Sequence, residues 1–224
     1  MARREPGARP LRMAIPKGAL YADSVALLGH AGLDAAALDD RGRQLLIAAG
    51  DIEYVIAKPT DIPAYVAYGG ADVAIAGKDV LLEAALDIVE MTDLGFGACR
   101  FVVAELGGAE RSVAEIYSHL GVIRVATKYP RIAEAYYAEA GIQVEIVRLS
   151  GNIELAPLIG LADQIVDITA TGRTLADNRL RVVAEVLAST ARFVANPVSL
   201  VTDTNRVTEL AALLSAAAVT GQEG

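Results

Sequence analysis

A short apolar run that ends in a loop rich in hydroxyls, with one glycine, constrains this chain more than any other feature. Gln164 to Ile168 reads as a strand carrying Asp167 near its end, and it runs straight into Thr169-Ala170-Thr171-Gly172-Arg173-Thr174. A strand that stops at T-x-T-G-x-T presents free backbone N–H groups, hydroxyls and one guanidinium around a glycine, where the chain can close on an anion. The pattern predicts a phosphate cradle. A carboxylate just ahead of it suits a phosphorylated sugar, because it accepts hydrogen bonds from ribose hydroxyls while the loop holds the 5′-phosphate. Asp167 is the candidate for that role and Glu154 the second candidate. The four residues Thr171 to Thr174 alone also fit an ordinary β-to-α turn in which Thr174 caps the next helix.

The rest of the chain repeats a strand, turn, helix rhythm with short connections, which predicts a doubly wound α/β architecture. Leu11 to Ile15 reads as a strand that Pro16-Lys17-Gly18 turns into a helix with Leu20, Leu27, Leu28 and Ala31 on one face. Lys17, at the strand-to-helix junction, is a candidate anion contact. Leu45 to Ala48 and Ile52 to Ala57 predict a hairpin, preceded by Arg41-Gly42-Arg43. Asp61-Ile62-Pro63 reads as an N-cap with a proline in the first helical turn, and Gly69-Gly70 as the stop of that helix. Ala71 to Ala76 is an almost wholly apolar strand of the central parallel kind, and Gly77-Lys78-Asp79 opens a helix as a second possible anion site. Val89 to Leu94, then Gly95-Phe96-Gly97, then Arg100 to Glu105 reads as the first crossing between two domains. Val122 to Thr127 and Val144 to Leu149 are strands flanking a helix with Ile132, Ala135 and Tyr136 on one face. Val182 to Leu187 and Ala191 to Val194 read as strands returning to the first domain. Leu210, Leu213, Leu214 and Ala217 mark a final amphipathic helix.

Composition narrows the function classes. The 224 residues suffice for one large or two small domains, and a hydrophobic content of 54% fits a folded α/β protein. No apolar run is long enough to span a bilayer, and residues 1–10 lack the apolar core of a signal peptide, so a cytoplasmic location is expected. The single cysteine, Cys99, excludes an internal disulfide. A formal charge of -8 disfavours nucleic acid as a partner. Basic residues stand singly beside glycines and strand ends, as small polyanions require. The exception is an N-terminal stretch with Arg3, Arg4, Arg9 and Arg12 against Glu5, which reads over residues 1–10 as a disordered tail. His30, His119 and Cys99 read as structural or surface residues.

Taken whole, E-L-A-P-L-I-G-L-A-D-Q-I-V-D-I-T-A-T-G-R-T-L (154–175) resembles the signature of the ATP phosphoribosyltransferase family, which opens histidine biosynthesis, and in particular its short form. The similarity continues through I-P-K-G-A-L (15–20), A-K-P-T-D-I-P-A-Y-V (57–66), A-D-V-A-I-A-G-K-D-V-L-L-E (71–83), C-R-F-V-V-A (99–104) and R-V-A-T-K-Y-P (124–130), in the family's order. Two departures stand out: Ala19 where the family has the arginine of K-G-R, and Ala74 where it has glycine.

The resemblance implies two doubly wound lobes like those of type II periplasmic binding proteins, with two chain crossings. Residues 11–98 plus 183–224 would form lobe I, and residues 99–182 would form lobe II with the phosphoribosyl pyrophosphate loop. It implies transfer of phosphoribosyl to N1 of ATP, with Glu154, Asp167, Thr169, Ala170, Thr171, Gly172, Arg173 and Thr174 on phosphoribosyl pyrophosphate. Arg43, Lys58, Gly77, Lys78 and Asp79 are implied for ATP, and Lys17, Lys58 and Arg100 are the catalytic candidates. A ring nitrogen attacks with its own lone pair, so no strong general base is needed, and positioning and electrostatics carry the reaction. No cluster has metal-ligand spacing, so Mg²⁺ is expected to arrive on the substrate. The implied partner is a regulatory subunit similar to histidyl-tRNA synthetase, in a hetero-oligomer built on catalytic dimers, since the chain's last predicted helix leaves no room for a regulatory domain. The alternatives are a phosphoribosyltransferase for another base and a non-catalytic bilobed binding protein.

Overall fold

The computed structural model describes residues 9–39, 42–109 and 111–220. In chain order the strands are β1 (Leu11–Pro16), β2 (Leu46–Ala49), β3 (Ile52–Ala57), β4 (Val73–Gly77), β5 (Val89–Asp93), β6 (Cys99–Leu106), β7 (Ile123–Thr127), β8 (Val144–Arg148), β9 (Gln164–Thr169), β10 (Leu180–Ser189) and β11 (Ala191–Ala195). The helices are α1 (Tyr21–His30), α2 (Ala36–Asp39), α3 (Ile62–Ala67), α4 (Lys78–Ala84), α5 (Val113–Leu120), α6 (Pro130–Glu139), α7 (Leu155–Leu158), α8 (Arg173–Asp177), α9 (Pro197–Thr202) and α10 (Thr204–Thr220). Two compact units result, residues 1–98 with 190–224 and residues 99–189. Among the described residues no helix is long and apolar enough to cross a membrane.

The first unit is built on a sheet of order β2-β3-β1-β4-β11-β5. Its centre, β3-β1-β4, is parallel, and β2, β11 and β5 join antiparallel. Every residue of β4 is buried, as a strand covered on both faces must be. Met13, Ile15, Leu28, Leu38 and Leu214 pack on one face of the sheet, and Ala14, Ile62, Val66 and Val80 on the other. The predicted faces of α1 and α10 are the ones buried, with Leu27, Leu28, Leu210, Leu214 and Ala217 inside.

One charge interrupts this core. Asp72, ahead of β4, is 4% exposed. It accepts bonds from Arg9 Nη1 and Nη2 at 2.7 and 2.6 Å, from the Arg12 N–H at 2.9 Å and from Ser199 Oγ at 2.6 Å. Burial favours the neutral acid, but these donors outweigh it and hold the carboxyl below its ordinary range. Asp72→Ala leaves the buried Ser199 hydroxyl and the part-buried Arg12 N–H without their acceptor and is expected to cost about 2–3 kcal/mol. Urea denaturation measures this, and the deficit should shrink as pH falls through the depressed carboxyl pKa, where the wild type loses the same charge.

The second unit carries a sheet of order β10-β6-β9-β7-β8. β8, β7 and β9 run parallel, and β6 and β10 close one side antiparallel. One face packs Val102, Ala104, Ile153, Ala156, Ile165 and Leu175. The other packs Phe101, Val125, Ile132, Tyr137 and Val166, with Phe101 and Tyr129 edge to face at 4.8 Å.

Several expectations change. Residues 183–189 do not return to the first sheet: β10 runs unbroken to Ser189 and pairs with β6 over Leu180↔Leu106 to Ser189↔Cys99, so only β11 belongs to the first unit. Arg9, assigned to the tail, is anchored by Asp72, and residues 1–8, like Arg41, lie outside the described residues. Asp61 makes no capping bond, because Pro59–Asp61 is a 3₁₀ turn that feeds α3 directly. In α6 the buried residues are Ile132, Ala133 and Tyr137, whereas Ala135 is exposed. Tyr137 turns inward because its hydroxyl finds Gln164 Oε1 at 2.7 Å.

Candidate functional site

In the second unit the predicted cradle sits at the carboxyl end of β9. The Gly172 N–H donates to Thr169 Oγ1 at 2.7 Å and the Arg173 N–H to Thr171 Oγ1 at 3.4 Å, which folds Thr169 to Gly172 into a closed turn. Gly172 adopts φ +75, the left-handed region that favours glycine, and starts α8. No clash excludes a side chain at this position, since a Cβ on Gly172 would meet nothing within 4 Å. The constraint is conformational. Thr174 does not cap α8 but lies within its first turn, and its carbonyl accepts from Asn178 Nδ2 at 2.9 Å. Ala170, Thr171, Arg173 and Thr174 are exposed along the loop.

The register of the sheet gathers further groups here. Arg100 of β6 stands opposite Thr169, and Asp167 opposite Val102, so Arg100, Asp167 and Thr169 share the face covered by α7 and α8. Arg100 Nη1 lies 3.4 Å from Glu185 Oε2 of β10. Asp167 Oδ1 accepts from the Ile168 N–H at 2.8 Å and lies 3.3 Å from Lys128 Nζ. Burial pushes the Asp167 carboxyl above its ordinary range, Lys128 pulls against it, and the carboxylate of Glu154, just ahead of α7, adds to the upward push. Glu154 is thus part of the same electrostatic cluster. Lys128 was not among the residues singled out from the sequence. Its signals were its position after the predicted strand ending at Thr127 and its place in R-V-A-T-K-Y-P (124–130).

In the first unit Lys17 and Lys58 follow β1 and β3, which pair in parallel with Pro16 opposite Ala57. The Lys17 N–H donates to Ala57 O at 2.8 Å, so the two lysines leave neighbouring strands at one edge. Lys78 follows β4, the other neighbour of β1, and joins that edge. Its ammonium is engaged by Glu90 Oε2 at 2.5 Å, and Glu90 also meets Arg192, itself paired with Asp93. Gly77 ends β4 and caps the start of α4, and a Cβ there would fall 2.1 Å from Asp79 Oδ1, so the glycine lets the Asp79 carboxylate fold back over the turn. The antiparallel pairing of β2 with β3 brings Arg43, exposed ahead of β2, to the same end of the sheet as Lys58. Ala19 is exposed in a 3₁₀ turn after Lys17, and Ala74 is fully buried between β1 and β11.

A hollow of about 400 Å³ in the second unit lies at the opposite sheet edge, where Glu105, Arg124, Asp163 and Arg181 line it. None of the predicted site residues reaches it. In open parallel sheets the chemistry collects at the carboxyl ends of the strands, which is where the cradle lies.

The ATP phosphoribosyltransferase family model matches residues 58–216. The ATP phosphoribosyltransferase of Rubrobacter xylanophilus is 48% identical over 84% of this chain and 87% of its own. That of Moorella thermoacetica is 48% identical over 95% of both. Among solved structures, the ATP phosphoribosyl transferase (HisG:HisZ) complex from Thermotoga maritima superposes with a TM-score of 0.79 at 33% identity, covering 94% of this chain and 99% of that one. The periplasmic aliphatic sulphonate binding protein SsuA of Escherichia coli shares the fold, with a TM-score of 0.58 at 14% identity, over 97% of this chain and 75% of its own. A strand-end cradle with an acidic residue before it, on a type II two-lobe α/β fold and with relatives this similar along nearly the whole sequence, leaves one assignment: the chain belongs to the ATP phosphoribosyltransferase family.

Proposed function

We propose that this chain transfers the phosphoribosyl group of phosphoribosyl pyrophosphate to N1 of ATP, giving N1-(5-phosphoribosyl)-ATP and pyrophosphate, the first step of histidine biosynthesis. The observation that carries the reading is the closed Thr169–Gly172 turn with Asp167 beside it, in a chain whose relatives carry that name at 48% identity. The loop amides hold the 5′-phosphate, and Asp167 with Glu154 accepts from the ribose hydroxyls. Arg43, Lys58, Gly77, Lys78 and Asp79 hold ATP, and Lys78 must give up Glu90 to reach a phosphate. The lone pair of adenine N1 forms the bond to C1 while the electrons of the C1–O bond leave with pyrophosphate. Lys17, Lys58 and Arg100 are the cations that balance the charge on that leaving group.

Among the described residues no three His, Cys, Asp or Glu side chains gather where they could hold a metal ion. A Mg²⁺ carried on the pyrophosphate of the substrate would need few protein ligands. Bound there, the ion would neutralise charge on the departing pyrophosphate. A cytoplasmic location belongs to the same reading.

A regulatory partner is part of this reading as well. The Thermotoga maritima relative was solved as a HisG:HisZ complex. This supports assembly of catalytic dimers with a regulatory subunit similar to histidyl-tRNA synthetase, through which histidine inhibits. Consumption of phosphoribosyl pyrophosphate with ATP, set against free nucleobases, tests the substrate. A histidine titration with and without the partner tests the regulation. Consumption with a nucleobase and none with ATP would replace the acceptor. Full histidine inhibition of the isolated chain would remove the need for the partner.

A further inference from the structure

We infer that Lys128 is a positioning residue for phosphoribosyl transfer, acting through Asp167, whose carboxylate it holds in place as the acceptor for the ribose hydroxyls. This rests on the reading of the β9 loop as the phosphoribosyl site.

The geometry is set by the sheet. β7 and β9 pair in parallel with Thr127 opposite Val166, so the next residues, Lys128 just past the end of β7 and Asp167 within β9, come side by side. The turn after β7 is pinned twice: Thr127 Oγ1 donates to Val166 O at 2.7 Å and accepts from the Tyr129 N–H at 2.9 Å. Lys128 Nζ then lies 3.3 Å from Asp167 Oδ1 and 5.7 Å from the centre of the Tyr129 ring. A lysine on an exposed pair has little fixed geometry, but here the carboxylate side chain is only 15% exposed.

Asp167 needs such a partner. It is largely buried and faces the carboxylate of Glu154, and both effects favour the neutral acid. A protonated carboxyl is a poorer acceptor for sugar hydroxyls than a carboxylate. The charged groups around it are Lys128 after β7, Glu154 ahead of α7, Arg100 of β6, which is turned to Glu185, and the exposed Arg173 of α8. Lys128 is the cation within reach of the carboxylate. Sequence reasoning passed over it because nothing beside it in the chain resembles an anion site.

The test measures phosphoribosyl pyrophosphate affinity of the full-length chain by calorimetry from pH 4.5 to 8.5, for wild type, Lys128→Met, Lys128→Arg and Asp167→Asn. Losing the cation moves the acidic limb of the Lys128→Met profile to higher pH, with binding about tenfold weaker than wild type at the acid end of the range and a smaller loss at pH 8.5. Lys128→Arg should follow the wild type. A Lys128→Met profile that superimposes on the wild type, while Asp167→Asn binds weakly, overturns the inference and leaves the phosphoribosyl site standing. Unchanged affinity in Asp167→Asn overturns both.

Discussion

Gly172→Val is expected to lower kcat/KM for phosphoribosyl pyrophosphate by about 100-fold, equivalent to about 2.7 kcal/mol of transition-state stabilisation. The cause is not a collision, since the space around a new Cβ is open. At φ +75 a β-branched residue is strained by about 1–3 kcal/mol. The loop relieves that strain by leaving the left-handed region. Doing so pulls the Gly172 N–H away from Thr169 Oγ1 and turns the neighbouring amides off the anion. Because the loop is exposed, the thermal midpoint should fall by only a few degrees. Gly172→Asn, which tolerates this conformation, should keep most of the activity. Steady-state kinetics on the three proteins decide it. A valine variant with wild-type kcat/KM would mean that the turn does not hold the phosphate.

Arg100→Met is expected to reduce kcat by about 100-fold while both KM values stay within a few-fold. This is the pattern of a cation whose interaction grows as charge develops on pyrophosphate. A purely structural role predicts something different. The Arg100 to Glu185 pair is 3.4 Å long with side chains 45% and 51% exposed, and such pairs contribute at most about 1 kcal/mol. Stability should therefore barely change. Glu185→Gln, which frees the guanidinium, should keep its activity. A raised KM with normal kcat in Arg100→Met would assign the arginine to substrate binding instead.

Local features were readable from the sequence and pairings across the chain were not. The β9 strand and its loop could be read because strand, carboxylate, hydroxyls and glycine are contiguous. The unbroken run from Val182 to Val194 contains two strands that join different sheets, separated only by Thr190, with no turn residue between them. Only the pairing partner distinguishes them, and partners are set by tertiary structure. Asp72 was passed over within the predicted apolar strand Ala71 to Ala76, and its donors Arg9 and Ser199 lie 63 and 127 residues away. Likewise, Lys128 gains its meaning from the parallel register of β7 with β9. The α6 face was misread because alanine and tyrosine occur on both sides of that helix, and the Tyr137 hydroxyl bond decided which tyrosine turned inward.

The central claim is that this chain joins C1 of phosphoribosyl pyrophosphate to N1 of ATP, and the direct measurement is the bond itself. Purified protein, with and without the proposed regulatory subunit, is incubated with both substrates and Mg²⁺, and the nucleotide product is isolated for mass and NMR analysis. The account predicts one product carrying a phosphoribosyl group on adenine N1, formed in equal amount with pyrophosphate and abolished in Asp167→Ala. Recovery of unmodified ATP, with phosphoribosyl pyrophosphate bound but not consumed in either condition, would contradict it.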